Sequence, residues 1–202
     1  LTGTTSVAEA SSVMRQLTEK EKLSRIASSC WPPRFLFTAY TVGRDTPDPE
    51  TIAMRKKYGE ITMLDFPQWT KDTYPGVYHL DLWSSVFGDV TEDSQWQKSS
   101  FDRGGRTRTM YQWDPSTPSS KKWLEKLRNN MEKTGTVCQH ISNNAPQNLA
   151  DPDEEKRKEG IRVAKIWMDA AAMLNTKTMR ANTGVTGTRV MPEASAQGIG
   201  GY

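Results

Sequence analysis

Residues 77–84 read Val77-Tyr78-His79-Leu80-Asp81-Leu82-Trp83-Ser84, directly after the helix-stopping pair Pro75-Gly76. Alternation places Val77, His79, Asp81 and Trp83 on one face, and Tyr78, Leu80 and Leu82 on the other. This pattern predicts a strand with one apolar side. Before it, Asp65–Tyr74 predicts a short helix, with Asp65 at the N-cap and Pro67 in the first turn. After it, Phe87–Trp113 predicts a polar loop. At that length it is either functional or an insertion.

The alternation of strand and helix continues downstream. Ser116–Lys133 predicts a helix capped by Thr117, with Pro118 at its first position and the stripe Trp123, Leu124, Leu127 and Met131. Gly135 ends it. Thr136–Ile141 predicts a strand, and Ser142–Ala150 a polar loop. Asp153–Leu174 carries the strongest helical pattern, with an acidic start and Val163, Ile166, Trp167, Ala170, Met173 and Leu174 at spacings of three and four. Lys177–Ala181 predicts one more strand. Upstream, Ser12–Ser29 predicts a helix with a capping box at Thr18 and Glu21. Trp31-Pro32-Pro33 stops it, and the aromatic run Arg34–Thr41 predicts the first strand. Thr51–Lys57 predicts a helical turn. The order strand, helix, strand, helix, strand, helix, strand implies parallel βα units with right-handed crossovers.

Composition sets limits on function. The 202 residues are 35% hydrophobic and 25% charged, with a net charge of +3. A core is affordable but small, and a strongly basic nucleic-acid arm is excluded. No apolar stretch is long enough to span a membrane. Cys30 and Cys138 lack metal-ligand spacing, and His79 and His140 are the two histidines, so a His/Cys zinc site is poorly supplied.

Three segments together resemble one family. They are Asn148-Leu-Ala-Asp-Pro-Asp-Glu-Glu-Lys-Arg-Lys, the helix ending Ile166-Trp-Met-Asp-Ala-Ala-Ala-Met-Leu, and Met179-Arg-Ala-Asn-Thr-Gly184. This ordered block resembles the sugar phosphate isomerase/epimerase family, whose members have a xylose isomerase-like TIM (β/α)8 barrel. Leu64-Asp-Phe-Pro-Gln-Trp and Leu80-Asp-Leu-Trp-Ser84 look like the family's first helix and second strand. The resemblance covers roughly Glu60 to Gly184.

The resemblance implies an α/β fold with about the first four βα units of that barrel, where the family has eight in about 250 residues. It divides the chain into a leader and helix (1–30), the first half of a barrel (31–184) and a glycine-rich segment (185–202). It implies metal-assisted proton transfer next to a sugar carbonyl, incomplete in this chain, on a small-molecule carbohydrate. The expected cofactor is a divalent ion (Mn, Mg, Co or Zn), held in relatives by carboxylates and a His of the second half. Those positions have no counterpart here. Open strands then invite a homo-oligomer or the missing second half as partner. No nucleic acid and no membrane are expected as partners. The alternatives are a lyase or hydrolase of oxidised glycosides on the same barrel, and a non-catalytic half-barrel serving binding or assembly. Leu1-Thr-Gly-Thr-Thr also resembles the end of a twin-arginine signal, which would place the protein in the periplasm; without such a signal it is cytoplasmic.

In a barrel the site sits at the C-terminal ends of the strands. That selects Trp83 as a stacking platform and Asn143, Asn144, Arg180 and Asn182 as substrate-binding groups, with His140 a weak candidate for acid–base work. Trp123 and Trp167, on helix stripes, are expected in the core.

Overall fold

The computed structural model describes residues 16–43, 47–103, 106–176 and 178–183. Residues 1–15 of the expected leader and helix (1–30), Gly184 and the expected glycine-rich segment (185–202) lie outside the described residues. The elements are α1 (Glu19–Leu23), β1 (Ala27–Ser29), α2 (Pro49–Tyr58), α3 (Phe66–Thr73), β2 (His79–Trp83), β3 (Trp96–Arg103), β4 (Arg106–Trp113), α4 (Pro118–Thr134), β5 (Val137–Ser142) and α5 (Glu154–Met173). The chain is therefore mixed α/β. None of the described helices is long and apolar enough to cross a membrane.

The central sheet is parallel, in the order β1-β2-β5. A further parallel bridge joins Ile141 of β5 to Met179. The four parallel segments thus lie side by side in chain order. Helix α3 packs on α4, and α4 on α5, so the crossover helices form one layer on one face. A sheet that reversed its order would place them on both faces.

Burial follows the alternation. Leu80, Leu82 and Ile141 are fully buried beneath Phe66, Trp123, Leu124, Leu127 and Trp167. Each such side chain stabilises the fold by about 1.5–3 kcal/mol. On the opposite face His79, Asp81, Trp83, His140 and Ser142 are half-buried. The helix ends match their local chemistry. Thr117 Oγ1 accepts from the Ser120 amide at 3.1 Å, and Asp153 Oδ1 from the Glu155 amide at 2.9 Å. Gly135 takes φ +68 at the end of α4. Thr18 and Glu21 form the expected capping box on the short α1.

Five expectations are corrected. The first strand is Ala27–Ser29, inside the segment read as helix, and α1 spans Glu19–Leu23 only. Arg34–Thr41 is not a strand but two 3-10 turns, Arg34–Leu36 and Thr38–Thr41. Phe37 is fully buried, its ring against Phe66, and its backbone makes a single parallel bridge to Ile61 rather than a ladder. Phe87–Trp113 is not a plain loop, since it carries the antiparallel hairpin β3–β4. The expected fourth strand contracts to the bridge at Met179. Asp65 also departs from its expected role: its carboxylate accepts from the Thr62 amide at 2.8 Å and makes no cap contact to α3.

Candidate functional site

A cavity of about 500 Å³ opens where the parallel segments end. Ser29, Trp31, Asp81, Trp83, Ser142, Asn144 and Arg180 line it. Each parallel segment contributes. Ser29 ends β1, Asp81 and Trp83 come from the end of β2, Ser142 ends β5, and Arg180 follows Met179. This is the end of a parallel sheet at which ligands collect, because strand termini and their loops converge there.

Backbone and side-chain bonds fix the wall. The Cys30 amide donates to Asp81 O at 3.2 Å, and the Trp83 amide points at Cys30 Sγ at 2.8 Å. The chain after β1 is thereby held along β2. Ser142 Oγ donates to Asp81 Oδ1 at 2.7 Å. Arg180 Nε donates to Asn143 O at 2.9 Å, and Nη2 to Asn144 Oδ1 at 2.5 Å. Two of its five N–H groups are so used, which orients the guanidinium and leaves it further donor capacity. Asn144 is held from three more sides. Its amide N–H donates to Ser84 Oγ at 3.1 Å, its Nδ2 to Ser85 Oγ at 2.7 Å, and its carbonyl accepts from Asn182 Nδ2 at 3.3 Å.

The aromatic side of the cavity is equally ordered. Trp31 meets Trp83 edge to face, with centroids 4.4 Å apart, although Trp31 is 50% exposed. The Arg34 guanidinium lies 4.4 Å above the Trp31 ring. The cavity therefore offers hydroxyls, an amide, one carboxylate, one guanidinium and indole rings. Asp81 and Arg180 supply one charge of each sign.

No family model and no curated protein matches the chain.

The structure places the sequence candidates differently from one another. Trp83, Asn144 and Arg180 line the cavity. Asn143 is fully buried, donates to Ala145 O and receives the Ala145 amide at 3.2 Å, so it shapes the turn after β5. Asn182 acts on the Asn144 backbone and does not line the cavity. His140 lies lower on β5, its Nδ1 3.1 Å from Thr178 Oγ1, and is also outside the lining. Trp123 and Trp167 are buried in the core. Ser142, at the end of its strand, lines the cavity too, and Ser29, Trp31 and Asp81 complete the lining without being singled out by the sequence reading. For Asp81 the sequence carries a signal, because alternation places it on the face of Trp83.

Cys30 and Cys138 are free and buried behind this wall. Burial pushes both thiols up to about 12, and the negative Asp81 adds to the effect. They are inert at neutral pH. Among the described residues, no three His, Cys, Asp or Glu side chains converge to hold a metal ion.

Proposed function

We propose that this chain is part of a sugar isomerase/epimerase-like (β/α)8 barrel and that the cavity at its strand ends receives a carbohydrate. The carrying observation is the cavity's lining. Ser29, Ser142 and Asn144 offer hydroxyl and amide groups that read sugar hydroxyls, and Trp31 and Trp83 offer apolar ring surface for C–H faces. The chain-order parallel sheet with one helix layer supports the barrel reading, as it is the winding such a barrel requires. The sequence block at 148–184 supports it independently.

Within this reading Arg180 orients a sugar oxygen, since two bonds already fix its guanidinium. Asp81 is the group for proton transfer next to the sugar carbonyl, with Ser142 holding its Oδ1. The divalent ion implied by the family resemblance finds no three-residue ligand set among the described residues, so no step here runs through it.

The test is calorimetric titration of the chain with monosaccharides, aldoses and ketoses. Saturable binding is expected, weakened at least about tenfold in Arg180→Ala, the worth of one charge-assisted hydrogen bond. No saturable binding by any of them overturns the reading.

A further inference from the structure

A second cavity, of about 470 Å³, adjoins the first, and the two share Asn144. Both volumes fall in the range of small-molecule sites, about 300–1,000 Å³. One wall is the hairpin β3–β4, which enters between β2 and α4. Its register sets Trp96 opposite Trp113 and Lys98 opposite Tyr111, so these four residues share a face.

The aromatic wall is preorganised. Trp96 Nε1 donates to Asp89 O at 2.9 Å, and Trp113 Nε1 to Gln95 Oε1 at 3.0 Å. Gly43, at φ +76, lets the Tyr111 ring approach where a Cβ would stand 2.5 Å from Cδ2. The facing wall is the loop after β5, with Asn144, Gln147 and Asn148. Asn148 Nδ2 donates to Lys156 O at 2.5 Å, which ties that loop to α5. Ser84 and Ser85 close the end nearest β2.

Among the described residues, no Asp, Glu, Lys, Arg or His lines this second cavity. Lys98, on the same hairpin face, has its Nζ 5.4 Å from the Tyr111 ring centroid and 3.3 Å from Asp93 Oδ2. That charge is already paired, so a phosphate, a carboxylate or a cation would meet no charged lining group. Rings, amides and hydroxyls together suit a neutral ligand that has apolar faces and many hydroxyls. Asn144 is the partition: its Nδ2 bonds Ser85 on the one side, and its Oδ1 receives Arg180 on the other.

We infer that the second cavity is a second sugar subsite, and that the substrate is a glycoside with one ring on each side of Asn144. This rests on the carbohydrate reading of the first cavity. Tyr111 provides the stacking face of the second subsite, and Gln147 reads hydroxyls at its mouth.

The experiment compares disaccharides (maltose, cellobiose, lactose) with glucose, galactose and xylose by calorimetry on the full chain. At least one disaccharide is expected to bind about tenfold tighter than its monosaccharide, the worth of one added set of contacts. Tyr111→Ala is expected to remove that advantage and leave monosaccharide affinity unchanged. Gln147 is exposed, so Gln147→Ala, which spares the fold, is expected to reduce the advantage. Equal affinity for mono- and disaccharides overturns the subsite while the first-cavity reading stands. So does an advantage that neither substitution changes. Absence of binding by every sugar overturns both.

Discussion

The hydroxyl of Ser142 donates to the carboxylate of Asp81 at 2.7 Å, joining the last residue of β5 to the middle residue of β2. One bond thus ties the two strands and positions the carboxylate of the proposed sugar site. Both groups are half-buried, so the bond is neither fully screened nor fully dry.

Ser142→Ala is expected to lower stability by about 1 kcal/mol, the usual net worth of one such bond. The larger effect should fall on sugar binding, because Asp81 loses the contact that aims it. Urea unfolding and calorimetric titration of the same variant separate the two effects.

Gly88→Ala is expected to destabilise the chain by about 1–3 kcal/mol. Gly88 takes φ +100, and an added Cβ would stand 2.4 Å from Trp113 Cδ1 and 2.8 Å from Trp96 Cζ2. Both indoles are pinned by hydrogen bonds and cannot yield cheaply. Hydrogen exchange should therefore speed up in β3 and β4 more than in β2 and β5.

The buried thiols give a pH dependence with a definite sign. Each has an ordinary value of 9.0, which the folded state raises to about 12. Below pH 9 both states are protonated and the thiols add no slope. As pH rises from 9 towards 12, the unfolded chain ionises first and stability is lost. The loss is about 1.4 kcal/mol per thiol at one unit above pH 9. Urea unfolding at pH 8, 9 and 10 should show this fall, and the double variant Cys30→Ala, Cys138→Ala should fall less steeply. A thiol reagent at pH 8 should label neither cysteine until the chain is unfolded.

Thr117→Ala should cost about 1 kcal/mol by removing the cap of α4, and Thr117→Asp should restore most of it. Thermal unfolding of the two variants reads this directly. A loss in Thr117→Ala that Thr117→Asp fails to recover would mean that the Ser120 amide bond matters less than the Thr117 packing.

What was legible in the sequence follows from element length and from how clearly one face is buried. Helices α4 and α5 repeat their apolar residues over several turns, and Thr117 and Gly135 end α4 as expected. Asp153, expected inside the acidic start of α5, stands one residue before it as the cap. Strands β2 and β5 alternate or sit between clear stops. Strand β1 is three residues long and follows Leu23 and Ile26, whose spacing continues a helical pattern, so no periodicity could reveal it. Arg34–Thr41 has the aromatic content of a strand, yet it follows Pro32-Pro33 and turns twice. In the hairpin, Trp96 and Lys98 share one face, so polar and aromatic residues mix and blur the period. The Gly104-Gly105 pair was the available hairpin signal. Trp83, Asn144 and Arg180 could be placed from strand ends. Trp31 could not, because it reaches the cavity two residues after β1, a strand too short to show a period.

Backbone amide and indole chemical shifts of the isotope-labelled chain, followed during titration with the sugar that binds best, test the central claim most directly. Saturable shifts are expected at Ser29, Trp31, Asp81, Trp83, Ser142 and Asn144, with the α3–α4 surface around Gln68 and Lys133 unmoved. Shifts confined to that outer surface, or none at saturating sugar, would contradict it.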